Sequence, residues 1–264
     1  MNLKKRVALV VGFVAALAIA IAWGSMSGSI IAQRGGNLTV SAAISLTNAM
    51  QEIKPLYERN QQAREIRYNF GSSGALQRQI EQGAPVDVFL SAGKRQMDAL
   101  EEQNLLLSGS RQDLLRNRMV LITPKNRAAI ANFRDLLASD IKRVAIGEPR
   151  SVPAGQYARE VLVNLDIYDD LRPKMVFGNN VRQVLTFVET GNVDAGIVYI
   201  TDALQSDGIA VRATASENLH SPIVYPVAAI KNTQNAEASK DYLRFLFTDA
   251  AKAVFEKYGF SPVS

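Results

Sequence analysis

The chain has 264 residues, enough for about two lobes at roughly 150 residues per domain. Its 47% hydrophobic and 21% charged content, with 17 Gly and 9 Pro, excludes collagen-like, low-complexity and wholly disordered chains. Having no Cys and a single His, it has no disulfide framework, thiol nucleophile, thiolate metal site or multi-histidine site, which leaves only a carboxylate-rich metal site formally open.

The formal net charge of +5 owes three charges to Lys4, Lys5 and Arg6, and without them 27 basic residues face 25 acidic ones. No Lys/Arg run with interleaved aromatics occurs elsewhere, so no nucleic-acid partner is expected. Those three cations precede an apolar run from Val7 to Trp23 and then Gly24, Ser25, Ser27, Gly28 and Ser29, the layout of a secretory signal. Residues 1–32 are read as a signal peptide, with an uncleaved membrane anchor over 7–23 as the alternative. Either predicts a periplasmic or extracytoplasmic location. A lipoprotein is not expected, because there is no Cys to acylate.

From Asn37 onward short apolar runs alternate with longer amphipathic ones, the pattern of an α/β protein with largely parallel sheets. Strands are predicted over 38–42, 65–70, 86–91, 119–123, 143–146, 174–177, 195–199, 209–212 and 223–230. Helices are predicted over 46–60, 74–82, 95–103, 155–165, 181–190, 236–247 and 250–258. Leu46, Ala49, Met50, Ile53, Leu56 and Tyr57 fall close to the i, i+3, i+4, i+7 spacing of a buried stripe. Pro124 and Lys125, and Tyr225 and Pro226, are where the chain is expected to cross between lobes. The boundaries drawn are 37–121 plus 227–264 for one lobe and 122–226 for the other.

Five strand-to-helix junctions carry Ser, Gly or small apolar residues instead of mixed charge. AAISLTNAM (42–50) places Ser45 at a helix start, where a hydroxyl and backbone N–H groups favour an anion. NFGSSGALQRQI (69–80) offers Ser72, Ser73 and a permissive backbone. In GEPRSVPAGQYA (147–158), Pro153 opens a helix without wasting a donor, and Ala154 and Gly155 leave its amides bare. FGNNVRQVL (177–185) enters a helix at Val181, and GIVYITDA (196–203) ends a buried strand on Tyr199, a phenol with one hydrogen to donate.

Taken singly, Ser45, Ser73 and Asn180 read as helix caps and Tyr199 as a core aromatic. What raises the binding reading is that all five lie at the carboxyl ends of strands, where open α/β sheets place ligands. Brought together, they would offer donors and almost no acceptors, which suits an oxyanion already fully deprotonated. Asp87, Glu148 and Asp202 are the nearest carboxylates able to accept a proton from a protonated anion.

At these residues the chain resembles the periplasmic molybdate-binding proteins of ABC importers. The resemblance runs from about Leu38 to Phe260 and rests on AAISLTNAM, GSSGALQRQIEQGAPVDVFLSA, EPRSVPAGQYA, VFGNNVRQVL, DAGIVY and the terminal YGF. It implies a two-lobed, type II-like periplasmic solute-binding fold with crossing strands as hinge. It also implies closure on molybdate or tungstate without a cofactor and delivery to the membrane permease of an ABC importer. Carried over residue by residue, hydroxyl contacts fall on Ser45, Ser73 and Tyr199, and backbone amide contacts on Ser45, Ser73, Ala154 and Val181. These are contacts to oxyanion oxygens, with no direct cation ligand. The Ser-rich loop of some relatives is GSSG here, so Gly74 replaces a hydroxyl. The chain is expected to be a monomer and not an enzyme.

Three other readings remain compatible with parts of the sequence. The same fold can receive another tetrahedral oxyanion, sulfate or phosphate, since cavity size is not written in a motif. It can also report an anion to a partner independently of transport. A serine hydrolase would need Ser45 or Ser73 as nucleophile with His220 as base, but there is no GxSxG elbow, and His220 reads as part of an exposed turn.

Overall fold

A computed structural model describes residues 37–60, 65–127 and 130–263. The signal or anchor expected over residues 1–32 lies outside them. Among the described residues no helix is long and apolar enough to cross a membrane.

The first sheet has six strands in the order β2-β1-β3-β10-β4-β11: β1 Leu38–Ala43, β2 Ile66–Gly71, β3 Val88–Leu90, β4 Gln112–Arg116, β10 Val224–Ala229 and β11 Ser261–Pro262. β1 pairs in parallel with β2 and β3, whereas β10 runs antiparallel to β3 and β4. The second sheet has the order β7-β6-β8-β5-β9: β5 Met119–Pro124, β6 Val144–Gly147, β7 Met175–Gly178, β8 Ala195–Tyr199 and β9 Ile209–Thr214. Here β6 is parallel to β7 and β8, and β5 is antiparallel to β8 and β9. Each sheet thus joins a parallel half, built through helical crossovers, to an antiparallel part.

Helices cover these sheets because alternate strand residues point to opposite faces. Val88, Leu90, Val227 and Ala229 join the main core, while Phe89 and Ala228 between them join a second apolar cluster. The main core takes in α1 (Thr47–Asn60), α8 (Ala236–Leu246) and α9 (Asp249–Lys257) through Met50, Ile53, Tyr57, Tyr242, Leu246 and Phe255. The second cluster holds α2 (Ser73–Glu81) and α3 (Lys94–Glu102) through Leu76, Ile80, Met97 and Leu100. Around the second sheet lie α4 (Pro153–Asn164), α5 (Tyr168–Leu171), α6 (Val181–Glu189) and α7 (Ile200–Ala203). Gly155 lets α4 close down on the end of β6, since a Cβ there would fall 2.0 Å from the Gly147 carbonyl oxygen.

The chain passes from the first sheet to the second between Arg116 and Met119, and back between Thr214 and Val224. The divisions drawn at 121/122 and 226/227 fall inside β5 and β10. Pro124 sits at the far end of β5 from the crossing, while Tyr225 and Pro226 mark an irregularity in the β10–β4 ladder. The first crossing is therefore carried by Asn117 and Arg118.

Candidate functional site

Ser45, Ser73, Ala154, Val181 and Tyr199, the five residues singled out above, line one cavity between the sheets, together with Ala43, Ile44, Gly71, Ser72, Ala92, Val152 and Pro153. Each of the five is at most 3% exposed. The cavity leaves about 10 Å³ to the centre of a water-sized sphere, within about 200 Å³ of atom-free space. It has no charged side chain in its lining.

Topology explains the convergence. β1, β2, β3, β6, β7 and β8 are the strands with parallel partners, and each delivers its carboxyl end and the following turn to this place. Ser73 is the first residue of α2, Ala154 the second of α4 and Val181 the first of α6. The first N–H groups of a helix have no intrahelical carbonyl to bond, and they form the positive end of the helix dipole. The caps do not consume them all. Ser72 and Val152 make no side-chain capping bond, and Asn180 accepts only from Gln183 N at 2.9 Å. Asn180 is therefore the cap its residue type suggests, while Val181 lines the cavity.

The hydroxyls are fixed from behind. Ser73 Oγ accepts the Ala92 N–H at 2.9 Å, and Ser45 Oγ lies 3.0 Å from the Tyr225 hydroxyl. Tyr199 donates to the Ala92 carbonyl at 3.1 Å. Its single hydrogen is thus committed within the protein here, and donating it to a ligand means exchanging that bond. Burial pushes the Tyr199 and Tyr225 phenols well above their usual range, so both keep their protons.

Besides the Tyr199–Ala92 bond, three hydrogen bonds join the lobes around the cavity. Gly74 N donates to Ser151 O at 3.0 Å. Gln96 Nε2 donates to Gln156 Oε1 at 3.2 Å, and Arg182 Nη2 to Asn48 Oδ1 at 3.1 Å. The close approach at Gly74 requires glycine, because a Cβ would lie 2.4 Å from the Ser151 carbonyl oxygen and 2.9 Å from its Cα.

The three carboxylates behave differently. Asp87 accepts from Thr39 N at 2.7 Å, from Asn235 Nδ2 at 3.2 Å and from the Thr233 hydroxyl, away from the cavity. Glu148 turns to Arg150 at 3.2 Å. Asp202 is fully buried, with Oδ1 2.7 Å from Arg182 Nε in a pairing too bent for a good hydrogen bond. Burial raises its pKa to about 7, against the pull of that guanidinium. None of the three lines the cavity. His220 does not line it either, and its Nδ1 lies 2.8 Å from the Ser221 carbonyl. Among the described residues no cluster of three or more His, Cys, Asp or Glu is placed to hold a metal ion.

Residue types alone did not single out Asn117, Thr201, Arg182 or the polar role of Tyr225. The available signal was a tyrosine inside the otherwise apolar strand VYPVAA, whose hydroxyl must find a partner when buried.

Residues 38–261 match a family model described as bacterial extracellular solute-binding protein. Over 258 residues the chain is 40% identical to a substrate-binding lipoprotein assigned to an ABC transporter in Bacillus subtilis, covering 97% of this chain and 98% of that one. It is 38% identical over 228 residues to the molybdate-binding protein ModA of Haemophilus influenzae, covering 85% and 89%. The periplasmic molybdate-binding protein of Azotobacter vinelandii superposes with a TM-score of 0.78 at 24% identity, over 86% of this chain and all of the other, and so shares the fold.

Proposed function

The chain belongs to the bacterial extracellular solute-binding proteins, and on that footing we propose that it captures molybdate or tungstate and delivers it to an ABC importer. The observation that carries this is the donor set. The amino ends of α2, α4 and α6 and the hydroxyls of Ser45 and Ser73 meet in one cavity with no charged lining. A fully deprotonated tetrahedral anion supplies only acceptors, and backbone amides at helix starts supply only donors. Its relative from Haemophilus influenzae is named for molybdate.

The work is capture and release without covalent chemistry. One lobe presents Ser45 and Ser73, the other Ala154, Val181 and Tyr199. An anion that bonds both favours the closed arrangement by the difference in its affinity for the two states. Export to the outer face of the cytoplasmic membrane, a monomeric state and a site with no resident cofactor belong to the same proposal. His220, turned to Ser221 and outside the cavity lining, supports binding over hydrolysis.

Thermal unfolding of the chain from Gly36 on, one compact unit, tests the reading with molybdate, tungstate, sulfate and phosphate in turn. At a thousand times its dissociation constant a ligand stabilises the native state by about 4 kcal/mol. A shift with molybdate and tungstate alone is expected. A shift with sulfate or phosphate instead would reassign the ligand.

A further inference from the structure

Asn117, on the first crossing, has its side chain held in one orientation. Its Oδ1 accepts the Arg118 backbone N–H at 2.8 Å, a group that can only donate. The Nδ2 end therefore faces Thr201 Oγ1 at 2.9 Å and the Tyr225 hydroxyl at 3.1 Å. A carboxamide nitrogen donates and does not accept, so the Tyr225 oxygen receives one hydrogen from Asn117 and must place its own elsewhere. Two hydroxyls are within reach, Ser45 Oγ at 3.0 Å and that of Tyr199, whose own hydrogen goes to the Ala92 carbonyl. With the Tyr225 hydrogen on Ser45, Ser45 acts as acceptor toward Tyr225, and its own hydrogen is left for the cavity that it lines.

Ser73 reaches the same state by a shorter route, since its Oγ accepts the Ala92 N–H directly at 2.9 Å. In both cases a backbone N–H, which has no choice of role, sets the direction. For Ser73 it acts at once, and for Ser45 it acts through Asn117 and Tyr225.

We infer that Asn117 and Tyr225 are positioning residues that fix the polarity of the Ser45 hydroxyl, so that Ser45 offers a hydrogen and not a lone pair to a bound anion. The inference rests on the oxyanion reading of the cavity and adds the means by which the site rejects protonated anions. An anion carrying its own O–H meets serines that are both oriented as donors, and its hydrogen is left unpaired at a buried position. Selectivity between anions of equal size and charge then follows from protonation alone.

Selenate and hydrogen arsenate at pH 8 are suitable probes: both are tetrahedral dianions of nearly equal size, and only the second bears a proton. Affinities of molybdate, selenate and hydrogen arsenate are measured by competition for wild type, Tyr225→Phe, Asn117→Leu and Thr201→Val, with the unliganded unfolding midpoint of each. In wild type selenate is expected to bind on the order of a hundredfold more tightly than hydrogen arsenate, the cost of one buried unpaired donor. In Asn117→Leu the Tyr225 oxygen is freed to accept from Ser45, whose hydroxyl can then turn; molybdate weakens by about tenfold, and the selenate-to-arsenate preference falls by about tenfold. Tyr225→Phe leaves Ser45 no acceptor behind it, so molybdate weakens and the preference stays. Thr201→Val leaves the bond between Asn117 and Tyr225 in place and keeps the preference.

A merely structural role for Asn117 would weaken selenate and hydrogen arsenate by the same factor in Asn117→Leu, and that result overturns the inference. A wild-type preference near one also overturns it, without any variant having to fold. Wild-type protein that binds none of the three anions removes the oxyanion reading itself, whereas tight molybdate binding with an unchanged preference in Asn117→Leu removes only the relay.

Discussion

The two ends of the first sheet hold two quite different hollows. At the amino ends of β1 and β3, Asn37, Thr39, Asp87, Thr233 and Asn235 border an opening of about 550 Å³. At the carboxyl end of β1 the cavity beside Ser45 measures about 10 Å³ in the same terms. The larger one is chemically quiet, because Asp87 already accepts from a backbone amide, a hydroxyl and a carboxamide, and Glu81 from Gln77 and Gln103. The smaller one is lined by the first residues of three helices and by Ser45, with no charged side chain. On the proposed function, unspent donors, and not volume, would distinguish a place that receives an anion from one that braces a sheet.

Four experiments bear on that contrast. The largest effect is expected from Gly74→Ala, which puts a methyl group against the Ser151 backbone and holds the lobes apart. Loss of the second lobe's donors, at about 1.5 to 3 kcal/mol for each bond to a charged partner, should lower molybdate affinity by a hundredfold or more, on the order of 3 kcal/mol. The unliganded unfolding midpoint should barely move. A calorimetric titration that finds near-normal affinity in this variant would contradict closure at Gly74.

Next come Ser45→Ala and Ser73→Ala, each expected to weaken binding by about 1 to 3 kcal/mol. Val181→Ala, where the offered donor is a backbone amide, should leave affinity nearly as it was. If all three titrate alike, the shared cavity is not the binding site.

At the other end, Asp87→Ala should do the reverse. Stranding Thr39 N, Thr233 and Asn235 should cost about 1 to 3 kcal/mol in urea unfolding, with molybdate affinity intact. A fall in affinity with unchanged stability would erase the distinction between the two hollows.

A separate effect, on unliganded stability alone, concerns Asp202. Its folded pKa stands near 7, and the unfolded chain ionises at about 3.9. Between those values the folded state holds a proton that the unfolded state has released, so raising the pH favours unfolding. Unliganded stability should therefore carry a downward component from about pH 4 to about pH 7. Asp202→Asn should remove it, as urea midpoints at pH 5 and pH 8 would reveal.

Much of this molecule is legible in the chain. The nine predicted strands all form, and β8 keeps its predicted bounds, because Ala195–Tyr199 is a wholly buried apolar run. β4 escapes prediction because Gln112 and Arg116 are exposed and only Leu114 and Leu115 are buried, which leaves no alternation to read. The two-residue β11 is too short to carry a pattern. Ser45, Ser73, Ala154, Val181 and Tyr199 stand out because helix starts advertise themselves by residue type. The contacts behind them do not. Asn117 reaches Tyr225 across 108 positions and Ser45 is 180 positions from Tyr225, and nothing local marks such pairs. Glu148 and Asp202, close in sequence to two of the junctions, turn instead to Arg150 and Arg182.

On the proposed function, the bridging contacts at Gly74, Gln96 and Arg182 would also govern time. An anion held between the lobes would exchange with solvent only when those bonds let go together, so its residence would be set by the chain's own opening frequency. A second anion added outside competes for the emptied protein and does not hasten departure of the first. Rapid hand-over then requires a partner that pulls the lobes apart, and such a partner would govern the release rate without touching the anion.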